Sequence, residues 1–255
     1  MRIIAASVTL LALASLACDD GGTGPLKSNV QVSFATQGPA AAPAPFAGRA
    51  PSAIGPGDTL TDGTNTLVIT QAEIVLREIE LKQEDSANCD VDPKPAGCED
   101  VEFGPVVVDL PLGPGAEQQF AVDLPQGTYK AIEFEIHKVT SDDPATFRQQ
   151  YPYLADQSIR VQGTFNGQPF TYLSDLDVEQ TLLFIPVLVV TDTTAATNVT
   201  ILVSLAEWFR DSDGVTLLDP NRGNKGQDRE GVIKENIKQS MEAFEDHDRD
   251  GELDP

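Results

Sequence analysis

Between residues 66 and 203 the chain alternates apolar and polar side chains in short runs divided by turn-forming residues, and this period of two governs what it can become. The cleanest run sets Ile132, Phe134 and Ile136 on one side against Lys130, Glu133, Glu135 and His137, so His137 reads as a solvated surface residue. Phe120, Val122 and Leu124 alternate in the same way, as do Val199, Ile201 and Val203. Ile159, Val161 and Phe165 lead into Asn166-Gly167, with Phe170 and Tyr172 on the way out; Asn-Gly adopts positive φ readily, which predicts a tight hairpin. Residues 182–190 read as a buried strand with an edge or bulge at Pro186, and Val106, Val107 and Val108 as a short buried run. Residues 67–81 are ambiguous. Ile69, Ala72, Leu76 and Ile79 suit a helix, but the β-branched content suits strands, and two strands are expected. About eight strands with no strong helix between them make the chain mostly β, and an antiparallel sandwich of immunoglobulin or transthyretin type fits best; a closed barrel is the second choice.

The ends of the chain have a different character. Residues 1–17 form a leader in which Arg2 precedes an unbroken apolar run at 3–16, about 14 residues and too short to span a bilayer. Ala14-Ser15-Leu16-Ala17-Cys18 resembles the lipobox of bacterial lipoproteins, although leucine usually stands where Ser15 is. That resemblance implies cleavage before Cys18 and acylation of its thiol. Two or three acyl chains hold a protein durably, since each buried methylene contributes about 0.8 kcal/mol. The expected address is the bacterial cell envelope, with the body facing the periplasm or the exterior and the bilayer as a partner through Cys18. Asp19 and Asp20 fit either inner-membrane retention or surface export. Residues 18–65 then comprise a tether, a short strand marked by Val30, Val32 and Phe34, and a Pro/Ala-rich loop over 37–58 that can bury little. Residues 66–206 are the sandwich.

Residues 207–255 close the chain. Trp208-Phe209 reads as a core anchor, and Asp211-Ser212-Asp213-Gly214 as a turn. Ile233, Ile237, Met241 and Phe244 recur at helical spacing over 231–245, predicting an amphipathic helix packed on the sandwich. Asp246-x-Asp248-x-Asp250-Gly251 follows directly. It matches positions 1, 3, 5 and 6 of a calcium-binding EF-hand loop, with the predicted helix as the entering one. Glu252 at position 7 offers a carbonyl, Leu253 is apolar at position 8, and Asp254 falls at position 9. No acid stands at position 12 in this sequence, so a calcium ion is expected to bind weakly, at about 10⁻⁴ to 10⁻³ M.

Apart from Cys18 there are two cysteines, Cys89 and Cys98, flanking a turn-rich segment. In an exported chain they are expected to form a disulfide, contributing about 2.7 kcal/mol by loop closure. A net charge of −23 argues against nucleic acid and favours cations. No serine-nucleophile elbow, zinc-protease helix or phosphate-binding glycine loop appears, and the chain carries only two histidines. With 40 acidic residues, close carboxylate pairs arise by chance and point to no glycosidase. No catalytic residue is assigned and an enzyme is not expected.

The order Leu124-Pro125-Gln126-Gly127-Thr128-Tyr129, Gly163-Thr164-Phe165-Asn166-Gly167, Glu207-Trp208-Phe209, Leu218-Asp219-Pro220, Asn236-Ile237, Phe244-Glu245-Asp246 and Asp250-Gly251 resembles a group of uncharacterised bacterial lipoproteins. Their sandwich domains have unknown function. The resemblance spans about residues 65 to 254 and implies a β-sandwich at the envelope, with no activity carried over. The expected role is a membrane-anchored binding or structural module that contacts an envelope protein or glycan, stiffened by calcium. The alternatives are a carboxylate-dependent hydrolase and a pilin- or adhesin-like subunit. Cys18→Ala should release the protein from membranes; a native chain that never takes a fatty-acid label, with a mature N-terminus elsewhere, refutes the anchor.

Overall fold

The structure, a computed structural model, describes residues 27–36, 59–83, 100–101, 104–113, 115–191 and 197–253. Within them the chain is mostly β, as the alternation predicts. In chain order the strands are β1 (Lys27–Thr36), β2 (Thr59–Thr61), β3 (Thr66–Gln83), β4 (Asp100–Val101), β5 (Val106–Asp109), β6 (Glu117–Pro125) and β7 (Gly127–Ile136). A one-turn helix α1 (Ala145–Gln150) precedes β8 (Ile159–Phe165), β9 (Gln168–Ser174), β10 (Val178–Val190) and β11 (Thr197–Val203). Helix α2 (Glu230–Lys238) and β12 (Met241–Glu245) complete the set.

The strands form one curled sheet in the order β6-β1-β11-β12-β10-β7-β3-β8-β9, with β2, β4 and β5 also paired to β3. Strand β3 is the spine. Its first half pairs with β8 and its second half with β7, while β2, β5 and β4 follow one another as its further partners. It is a single strand rather than the two expected, but Glu78 at φ 51° and shifts of register at Ile69/Gln71 and Arg77/Glu80 break its regularity. Such bulges bend a sheet and increase its twist. The path ends at β6 and β9 without closing, so the described residues make a half-barrel rather than a closed one.

Two pairs are parallel, β1 with β11 and β10 with β12. The sheet is therefore mixed, which corrects the expectation of a purely antiparallel immunoglobulin- or transthyretin-type sandwich. Alternation along a strand fixes which side chains face inward but not the direction of its neighbours. The expected short strand at Val30 to Phe34 is ten residues long and sits inside the sheet, bonded to β6 on one edge and β11 on the other.

The predicted helix over 231–245 is also corrected. Helix α2 ends at Lys238, and Met241, Ala243 and Phe244 belong to β12. Ile233 and Ile237 are buried by α2, as the period requires, but Met241 falls four residues further on and continues the stripe by coincidence. A short apolar run carries no information to separate helix from strand. Glu242 points out while Met241 and Ala243 point in, a period of two.

Other local readings hold. Asn166 and Gly167 both have positive φ, 52° and 75°, joining β8 to β9 in a tight turn. Trp208 and Phe209 are fully buried. The Trp208 indole N–H donates to Ser240 Oγ at 2.7 Å, and Phe209 meets Tyr172 edge-on with ring centroids 5.3 Å apart. Residues 182–190 are only half buried: Leu182, Phe184, Leu188 and Val190 face the core, whereas Leu183, Ile185, Val187 and Val189 face outward. Register with β7 shifts across the cis Ile185–Pro186 bond, where the bulge was expected.

At the crossing of β3 and β8, a Cβ on Gly163 would stand 1.9 Å from the Val68 carbonyl oxygen. Gly163→Ala should therefore cost about 1–3 kcal/mol or more, read as a lower midpoint in thermal or urea denaturation. Gly231→Ala, whose Cβ meets nothing within 4 Å among the described residues, is the control and should leave the midpoint level or raise it.

Candidate metal centre

Strand β12 delivers Asp246 at its end, and the backbone then curls through Arg249 (φ 60°) and Gly251 (φ 83°). Positive φ at 251 suits the glycine found there. The Gly251 N–H turns back to donate to Asp246 Oδ2 at 3.1 Å, Asp250 N–H to Asp248 Oδ1 at 3.3 Å, and Glu252 N–H to Asp250 Oδ1 at 2.8 Å. Carboxylate oxygens of Asp246, Asp248 and Asp250 gather within 4.8 Å of one another, and these groups could hold a metal ion. The Arg249 carbonyl accepts from the Ala116 N–H at 3.0 Å, pinning the loop to the approach to β6.

The three acids are not equivalent. Asp248 and Asp250 are exposed, whereas Asp246 is fully buried. Its Oδ2 ends a chain of hydrogen bonds that crosses the sheet. Ser33 Oγ donates to Asn198 Oδ1 (2.6 Å), Asn198 Nδ2 to Thr200 Oγ1 (2.9 Å), and Thr200 Oγ1 to Asp246 Oδ2 (2.7 Å). Asp246 Oδ1 is buried too, yet makes no hydrogen bond of ordinary geometry among the described residues. Burial pushes the Asp246 carboxyl above the usual range, opposed by the Thr200 hydroxyl and the Gly251 and Arg249 amides. A buried carboxylate oxygen with no donor is costly unless a cation meets it.

The expected ligand set thus comes together at Asp246, Asp248 and Asp250, with Glu252 exposed beside them. The entering element is corrected from helix to strand: the EF-hand likeness is confined to the loop. Asp254, Cys18, Cys89 and Cys98 lie outside the described residues. The hydrogen-bonded ladder of Ser33, Asn198 and Thr200 escaped the sequence reading. On β11 alone Asn198 and Thr200 occupy the polar phase and look solvent-facing, but both faces of this strand are covered.

His137 is the other correction. It lies just past β7 and is buried, only 3 % exposed, with Nε2 2.9 Å from both carboxylate oxygens of Asp143. Alternation assigns it to the polar face, but the chain past β7 brings the buried Asp143 back against its ring.

A cleft of about 670 Å³ lies between α2 and residues 204–214. Three of its carboxylates are in ion pairs, Glu207 with Arg210 at 3.2 Å, Asp211 with Arg229 at 3.3 Å and Glu235 with Lys238 at 2.5 Å. Among the described residues no helix is long and apolar enough to cross a membrane. No family model, curated protein or solved structure matches the chain.

Thr200→Val preserves shape but leaves Asn198 and Asp246 each short of a partner. It should destabilise the metal-free protein by about 1–3 kcal/mol, measured by urea denaturation with chelator present.

Proposed function

We propose that the chain is a lipid-anchored module of the bacterial envelope whose C-terminal loop takes up calcium and so fixes β12 in the sheet. The observation that carries the calcium reading is the buried Oδ1 of Asp246, which makes no hydrogen bond of ordinary geometry among the described residues, beside the carboxylates of Asp248 and Asp250. An all-oxygen set suits a hard cation that accepts six to eight ligands at flexible angles. Two exposed acids leave room for water to complete the shell. The anchor rests on the leader and Cys18, and the lipoprotein group resembled in sequence is the proposed kinship. Cys89 and Cys98, as a disulfide, belong to the same exported setting. The proposed role is contact with another envelope protein or glycan, made by a body held off the bilayer.

Calcium titration of the exported chain and of its Asp248→Ala/Asp250→Ala variant tests the site. A tenfold excess over Kd should stabilise the native chain by about 1.4 kcal/mol and leave the variant unmoved. Superimposable melting curves for the two proteins at millimolar calcium refute it.

A further inference from the structure

The geometry points to a second metal site, for a divalent transition ion of the zinc type, built from His137 Nδ1, Glu135 and Asp177. Strand pairing assembles it. Glu135 on β7 and His137, the first residue past its end, share a face because they are two residues apart. The antiparallel register of β10 sets Val178 against Ile136, so Asp177, one residue before, comes beside His137, one residue after. Carboxylate oxygens of Glu135 and Asp177 and a His137 ring nitrogen lie within 4.8 Å of one another.

The arrangement of hydrogen bonds singles out Nδ1. Nε2 faces the Asp143 carboxylate at 2.9 Å, and Asp143 is itself buried and fixed by the Thr140 N–H at 2.6 Å. A neutral ring that donates through Nε2 presents a lone pair at Nδ1. Nδ1 is buried and has no hydrogen-bond partner among the described residues. Its charged neighbours are Glu135 Oε1 at 3.7 Å and Asp177 Oδ1 at 3.9 Å. A lone pair facing two carboxylates is repelled by both. A proton on Nδ1 would have ion pairs at those distances but no hydrogen bond among the described residues. A metal ion between the three groups satisfies all of them.

Each ligand is prepared for that role. Arg77 holds Glu135 by Oε2, at 2.7 Å, leaving Oε1 turned toward His137. The Lys138 N–H steadies Asp177 Oδ1 at 3.1 Å. Asp143 behind the imidazole is the carboxylate that fixes tautomer and ring orientation in histidine metal sites. With bonds of about 2.0–2.2 Å, ligand atoms stand about 3–4.4 Å apart, so the half-exposed Asp177 has only to swing in slightly. An imidazole with two carboxylates selects zinc-type ions over calcium or magnesium. Three protein ligands leave a further position open to water on the Asp177 side.

Zinc titrated into the full exported chain, with Asp248→Ala/Asp250→Ala silencing the C-terminal loop, is the test. Only two histidines exist, so a long-range ¹H–¹⁵N spectrum reads each ring separately. One equivalent of zinc should move His137 Nδ1 to a metal-bound shift and leave His247 in place. Asp177→Asn should weaken binding at least tenfold, and calcium should produce no shift at His137. A His137 ring that stays unchanged to 1 mM zinc, a response confined to His247, or equal affinity in Asp177→Asn overturns the site. His137→Gln is a second variant, but if it fails to fold the half-exposed Asp177→Asn decides alone.

Discussion

Five residues late in the chain, Met241–Glu245, tie the sheet together. Strand β12 pairs antiparallel with β11 from Val199↔Glu245 to Val203↔Met241, and on its other edge meets β10 in parallel at Phe184↔Ala243. Remove it from the strand order and the sheet separates into β6-β1-β11 and β10-β7-β3-β8-β9. Pairing over such a sequence distance is costly in loop entropy and must be secured by burial around it. Met241 and Ala243 supply part of that burial, and the Trp208–Ser240 hydrogen bond fixes the chain just before the strand enters. Asp246 is the next residue after β12. An ion proposed for the loop therefore acts on the strand that joins the two halves, not on a free tail.

The polar groups beneath that strand follow the same geometry. Ser33, Asn198 and Thr200 donate in one direction toward Asp246, linking β1, β11 and the loop. Buried networks of this kind specify one arrangement when fully satisfied and are costly when they are not. Here each of the three side chains donates to the next, and the row ends on a carboxylate whose other oxygen makes no hydrogen bond of ordinary geometry among the described residues. His137 shows a comparable deficit at the end of β7, where one nitrogen is satisfied by Asp143 and the other faces carboxylates. The donor atoms differ, oxygen alone in one case and imidazole with oxygen in the other. The two clusters therefore suit different ions.

Much of this was legible in single residues. Asn166-Gly167 encodes its turn because both positions need positive φ, and Asp246, Asp248 and Asp250 show their spacing directly. What stayed hidden is non-local. Nothing in Val30, Val32 and Phe34 says that both edges of β1 find partners, one of them parallel. The stripe of Ile233, Ile237 and Met241 looks helical to the end because residue 241 falls in phase for α2 while serving β12. Asn198, Thr200 and His137 are polar residues on strand faces that later chain segments cover, and period-two reading assigns such residues to solvent.

The chain's charge gives both clusters a common logic. With 17 basic residues against 40 acidic ones, side-chain pairing leaves a surplus that repels itself in the compact state. Local devices absorb some of it: Lys234 bridges Asp175 and Glu230, and Lys82 bridges Glu80 and Glu133. Each lysine brings one charge and must be supplied by the sequence. A divalent ion brings two to a point and demands only that ligands already converge. Convergence is what strand ends provide here, because paired registers bring side chains from separate segments together just where the backbone ladder stops. The acidic surplus and the geometry at the ends of β7 and β12 thus favour the same proposal, inorganic cations seated at the two places where an unmatched buried atom, His137 Nδ1 or Asp246 Oδ1, adjoins a cluster of carboxylates.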